Sequence, residues 1–69
     1  MIKRGSKVKW KWGNGVAEGK VIQTYTEEVT KTIKGTVITR KGQKNNKALL
    51  IEQEDGEKVL KLEQEVERA

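Results

Sequence analysis

Apolar and charged residues alternate strictly near the start of the chain. Val8, Trp10 and Trp12 fall on one side of an extended segment and Lys7, Lys9 and Lys11 on the other, the period-two signature of a half-buried strand. Asn14-Gly15 follows, a pair that tolerates positive φ and predicts a two-residue hairpin turn. Folding there sets Trp12 against Ala17, Trp10 against Gly19 and Val8 against Val21, while Lys11 meets Glu18 on the solvent side. The bare Cα of Gly19 then leaves room for the Trp10 indole. On this pattern Trp10 belongs to the core, and Trp12, beside the turn, is either rim packing or a contact residue.

The same pattern recurs twice. Asp55-Gly56 predicts a second two-residue turn, with Ile51 facing Leu60, Leu49 facing Leu62 and Gln53 facing Lys58. Leu50, Glu52, Val59 and Lys61 then lie on the outer face. Val29–Ile33 and Thr36–Arg40 are rich in β-branched residues around Lys34-Gly35 and predict a third hairpin, with Val29, Ile33 and Ile38 on one face. Residues 41–47 carry no apolar side chain and read as a mobile loop. The tail Glu63–Glu67 is long enough for one helical turn, with Val66 packing back. Five to six short strands and no long helix predict an all-β fold, a small antiparallel barrel occupying residues 1–69 as one domain. Closure of the barrel would also remove open edges, which no proline is present to guard.

Composition narrows the chemistry. The 69 residues include no Cys and no His, so disulfides, Cys/His zinc sites, thiol nucleophiles and imidazole bases are excluded. No apolar run approaches the roughly 20 residues of a membrane-spanning helix, and no signal-peptide core follows the start. A cytoplasmic protein without a membrane partner is the expectation. Glu52, Glu54, Asp55 and Glu57 cluster around one hairpin, but alternation turns them outward and a turn between strands offers no cleft. Gly13-Asn14-Gly15 is a turn and not a phosphate loop. Neither an enzyme nor a cofactor or metal site is expected.

Charge is what remains. The net charge is +5, but residues 1–47 hold 12 basic and 3 acidic side chains, whereas residues 48–69 hold 3 and 7. A basic front attracts acidic proteins or phosphates. Two binding modes compete. In one, a protein or peptide segment docks near Trp12 and Tyr25 by strand addition or in a shallow groove. In the other, Lys9, Lys11, Lys20, Arg40, Lys41, Lys44 and Lys47 meet nucleic-acid phosphates while exposed aromatics stack on bases. A third reading is structural: the opposite charges of the two halves, with Leu50 and Val59 as an outer patch, would drive weak homodimerisation in place of a monomer. The protein-interaction module ranks first and nucleic-acid binding is its alternative, with Trp12, Tyr25, Lys9, Lys11, Lys20, Arg40 and Lys41 as candidate contact residues.

The segments GSKVKWKWGNGVAEGKV, TIKG, ALLIEQEDGEKVLKL and EVERA, in that order, resemble the hypervirulence-associated TUDOR domains, a family of small bacterial domains. The resemblance spans nearly the whole chain and departs at Asn46-Lys47-Ala48, where members often carry Asp-Pro before the apolar strand. It implies an SH3-like, tudor-type barrel with no established catalytic activity. Tudor domains hold methylated side chains in an aromatic cage. Trp12, seven residues after Gly5, matches the place of a first cage aromatic. Ala17 and Glu18 stand where the next would be, so a full cage is not expected.

Overall fold

Seven strands form along the chain in the computed structural model, which describes residues 2–69. They are β1 (Lys7–Trp12), β2 (Gly15–Tyr25), β3 (Glu28–Ile33), β4 (Thr36–Lys41), β5 (Ala48–Gln53), β6 (Lys58–Leu62) and β7 (Glu67–Arg68). A 3-10 turn, Glu63–Glu65, joins β6 to β7. One antiparallel sheet has the order β6-β5-β2-β1-β7, and β3–β4 forms a separate two-stranded ribbon. With the ribbon set aside, β1, β2, β5 and β6 run as a meander and β7 returns beside β1. This is the wiring of a small antiparallel SH3-like barrel, with β3–β4 inserted between two neighbours of the sheet. Among the described residues no helix is long and apolar enough to cross a membrane.

The core lies on the side of the sheet that alternation selects. Val8, Trp10, Val21, Leu49, Ile51 and Val66 are buried together with Ile2, and Ala17 and Val59 pack against them. The two hairpins that build this core close differently from the expected turns. In the first, Trp12 pairs with Gly15, Trp10 with Ala17 and Val8 with Gly19, so Gly13-Asn14 makes the turn. Gly13 takes a φ of 51° and Asn14 does not enter the positive region, the pattern of a turn with glycine at its first central position. The shift from the expected register amounts to two residues, so every side chain keeps its face.

The second hairpin slips by one residue, and there the faces change. Gln53 and Glu57 are joined by a hydrogen bond from Gln53 N–H to Glu57 O at 2.7 Å, which leaves a three-residue loop with Gly56 at φ 87°. Leu50 now faces Leu60, Ile51 faces Val59, and Leu49 faces Lys61. Leu49 and Ile51 still line the main core, but their partners are Lys61 and Val59 in place of Leu62 and Leu60. The expected outer patch of Leu50 and Val59 does not exist, because these two residues lie on opposite faces and both are half-buried. Leu60 lies outside the main cluster yet is only 2% exposed. The β3–β4 ribbon packs against β6 and provides the cover.

That ribbon follows expectation closely. Lys34 and Gly35, at φ 53° and 77°, form its two-residue turn, and Val29, Ile33 and Ile38 share the half-buried face. Its outer face carries Thr30, hydrogen-bonded through its hydroxyl to that of Thr39 at 3.0 Å. Lys34 at the tip meets Glu57 in an exposed ion pair. The segment after β4 is held by backbone bonds, contrary to its reading as a mobile loop. Gln43 and Asn46 exchange hydrogen bonds of 2.9 and 3.1 Å, and Lys47 N–H donates to Glu63 Oε1 at 2.8 Å. The tail also does what its pattern predicts: one turn forms and Val66 is buried at 8% exposure.

Gly19 fixes the distance between β2 and β5. A Cβ at this position would lie 2.5 Å from Ile51 Cγ2 and 2.8 Å from the Glu52 carbonyl oxygen. The glycine therefore accommodates the neighbouring strand and not the Trp10 indole. Gly19→Ala is expected to cost about 1–3 kcal/mol, read from the urea midpoint, because strand backbone must give way. Gly56→Ala, at positive φ but in open space, should cost about 1 kcal/mol. A Gly19→Ala variant no less stable than Gly56→Ala would show that the strands have slack here.

Candidate functional site

The β1–β2 hairpin outgrows its neighbours. β5 pairs with β2 only from Gly19 to Tyr25, and β7 pairs with β1 only at Val8 and Lys9. Between Trp10 on one strand and Glu18 on the other, the hairpin has a sheet neighbour on neither edge among the described residues. Trp12 and Val16 sit in this projecting tip, 64% and 57% exposed. Alternation still points Trp12 to the core side, but the core has ended. Its indole leans over Gly15, where a Cβ would lie 3.7 Å from Nε1. Trp10, two residues earlier, is 7% exposed. The two indoles thus divide as the pattern predicts, Trp10 buried and Trp12 exposed.

Backbone direction adds a second feature. Val21 N–H donates to Ser6 O at 2.9 Å, and the β1–β2 register carries that bonding pattern up to Val8, Trp10 and Trp12. The intervening Lys7, Lys9 and Lys11 therefore point their N–H and C=O groups away from β2. Ala69 N–H takes up Lys7 O at 3.0 Å, and Lys9 pairs with Glu67. Lys11 has no strand partner on that side among the described residues. Beside it runs a groove of about 440 Å³ lined by Lys9, Trp10, Lys11 and Val16 on one side and by residues 64–67 on the other. Val16, Trp10 and Val66 are its apolar lining residues, and Lys9 and Lys11 line one side with Glu65 and Glu67 on the other.

The remaining candidate residues are dispersed. Tyr25 ends β2, ten residues along the strand from Gly15, the partner of Trp12, and neither aromatic lines the groove beside Lys11. Tyr25 is half-buried, with the Lys31 ammonium 5.5 Å from its ring centroid. Lys20 lies on the outer face between Lys7 and Glu52. Arg40 Nε is 3.4 Å from Glu65 Oε1. Lys41 ends β4 opposite Glu28. Lys9 has Glu18 on one flank and Glu67 on the other. The basic positions are interleaved with carboxylates and form no continuous stripe.

The hairpin carboxylates are likewise spent locally. Glu52 lies 3.7 Å from Lys58, Glu57 pairs with Lys34, and Asp55 Oδ1 accepts the Glu57 N–H at 2.9 Å. Among the described residues no three carboxylates converge as metal ligands would. Sequence reasoning overlooked Val16 and the groove wall at residues 64–67. Placing the turn one residue earlier would have set Val16 opposite Lys11, and the alternation of acid with Val66 hinted at a strand-like wall.

The site thus combines a projecting tip and an open strand edge on a small all-β barrel. Residues 5–66 match the family model of the hypervirulence associated proteins TUDOR domain, and the chain belongs to that family. No curated protein and no solved structure matches the chain. Tudor-type domains are small interaction modules, generally without catalytic activity.

The division of the indoles has a direct consequence for stability. Trp10→Ala should cost about 3–5 kcal/mol in chemical denaturation. Trp12→Ala should cost less than about 1 kcal/mol, because little of its surface is covered. Equal losses would place Trp12 in the core and remove the tip as a free surface.

Proposed function

We propose that this barrel is a protein-interaction module whose contact surface is the projecting β1–β2 tip and the adjoining edge of β1. The observation that supports it most is Trp12, a large aromatic 64% exposed at the end of β1, with Val16 exposed in the adjacent pair on the other face of the hairpin. Tryptophan is the residue most enriched among strong interface contacts, and one held on a strand loses little freedom on binding. Lysines around it keep the surface soluble while the tip is free.

Nucleic-acid binding has less support. Its phosphate contacts would have to come from lysines flanked by Glu18, Glu52 and Glu67, and its stacking platform from aromatics at different ends of β2. Such binding would weaken steeply with salt.

Affinity capture from cells that express the protein, with and without nuclease, separates the two readings when the captured protein is purified and its affinity measured directly. The protein reading expects a partner that survives nuclease, binds the wild type, and loses at least about tenfold in affinity for Trp12→Ala. Val37→Ala, altering an exposed residue on the β3–β4 ribbon, should bind normally. Capture abolished by nuclease, together with tight binding of bare DNA or RNA at about 50 mM salt, would overturn it.

A further inference from the structure

The barrel already shows what it accepts along β1. Glu67 stands opposite Lys9, and Val66, the residue before it, is buried in the core cluster with Trp10. β7 is thus an apolar–acidic pair laid antiparallel against the β1 edge. Had the tail stayed extended, the same register would have set Val66 against Trp10 and Glu65 against Lys11. Val66 keeps an extended backbone and packs with Trp10, but Glu65 does not reach Lys11, because Glu63–Glu65 coil into the 3-10 turn. There Glu65 Oε1 accepts the Leu62 N–H at 2.9 Å and lies 3.4 Å from Arg40 Nε. The carboxylate that would have answered Lys11 is committed elsewhere.

Lys11 is left with two unmet demands. Its backbone N–H and C=O face the open edge, and its ammonium has Val16 as cross-strand neighbour on the β2 side, with no ion pair among the described residues. Lys9, two residues earlier, has carboxylates on both flanks. An unpaired edge of this kind is a template for another strand, with main-chain bonds supplying affinity and alternate side chains supplying selectivity.

We propose that the β1 edge at Lys11 accepts an extended protein segment of the pattern apolar–acidic, added antiparallel to β1 with its acidic residue opposite Lys11 and turning away there, because Val66 and Glu67 hold the edge beyond. This deepens the interaction-module reading and rests on it. The acidic residue exchanges both backbone hydrogen bonds with Lys11 and sets its carboxylate beside the ammonium. The residue before it projects to the other face, toward Trp12, while Val66 already covers Trp10. The groove of about 440 Å³ between β1 and residues 64–67 is the space for the segment, within the usual range of ligand sites. A second copy paired through the same edge is disfavoured, because it would bring the lysines of two β1 strands together.

The test is an NMR titration of the whole ¹⁵N-labelled protein with two capped pentapeptides, Thr-Val-Thr-Val-Glu and Thr-Val-Thr-Val-Lys. The glutamate peptide should shift the amides of Lys11, Trp12 and Gly13 and bind at least about fivefold more tightly than the lysine peptide, the upper range for one cross-strand charge pair. Lys11→Glu should invert that preference without changing the denaturation midpoint. Methylating the backbone nitrogen of the peptide's glutamate should abolish binding, since it removes a main-chain donor. Equal binding of both peptides, shifts confined to other surfaces, or full tolerance of N-methylation would overturn the proposal. The captured partner distinguishes this failure from that of the broader reading. A partner lost with Trp12→Ala but retained by Lys11→Glu would sink strand addition and leave the tip as the contact surface. A partner indifferent to both substitutions would sink both.

Discussion

The close approach of β2 and β5 at Gly19 is the constraint on which the rest of the molecule depends. Only a residue without a side chain lets Ile51 and the Glu52 backbone come so near. β5 reaches its turn just beyond this point, and β2 does not. The eleven residues of β2 therefore serve two neighbours in succession: β5 along the lower part, and β1 alone above it. The tip that carries Trp12 and Val16 projects because its central strand is longer than the sheet that supports it.

The other end of the sheet produces the open edge by a different route. Burial of Val66 and the hydrogen bond from Leu62 N–H to Glu65 hold the chain in a 3-10 turn where a longer β7 would have formed. A two-residue β7 covers Val8 and Lys9 and stops. The barrel does not fully protect its edge, and the unprotected piece lies beside its most exposed aromatic. A structural module would be expected to blunt such an edge; a binding module has reason to keep it.

Much of this was legible in the chain, and the errors have physical causes. Alternation identified the buried face of β1, the separation of Trp10 from Trp12, the Lys34-Gly35 hairpin and the return of Val66. In Gly13-Asn14-Gly15 two overlapping turn signals compete, and the winning one shifts the register by two without moving any side chain across the sheet. At Asp55-Gly56 the choice lay between a two-residue and a three-residue loop, and the longer one exchanges partners between faces. Leu50 and Val59 were misplaced for that reason. The hydrogen bonds of residues 42–47 are made chiefly by their backbone, to each other and to the Glu63 carboxylate, which composition cannot reveal. The dispersal of Tyr25, Arg40 and Lys41 away from Trp12 depends on β2 length and on the inserted ribbon, neither of which local pattern determines.

Amide hydrogen exchange along β1 tests the central claim most directly, because it reads the edge residue by residue with no partner present. Slow exchange is expected at Trp10 and Trp12, whose N–H groups face β2, and at Lys9, which faces β7. Lys11 should exchange at least about tenfold faster than Lys9. A Lys11 amide protected as well as that of Lys9 would mean that something already occupies this edge, and the open-strand account would be wrong.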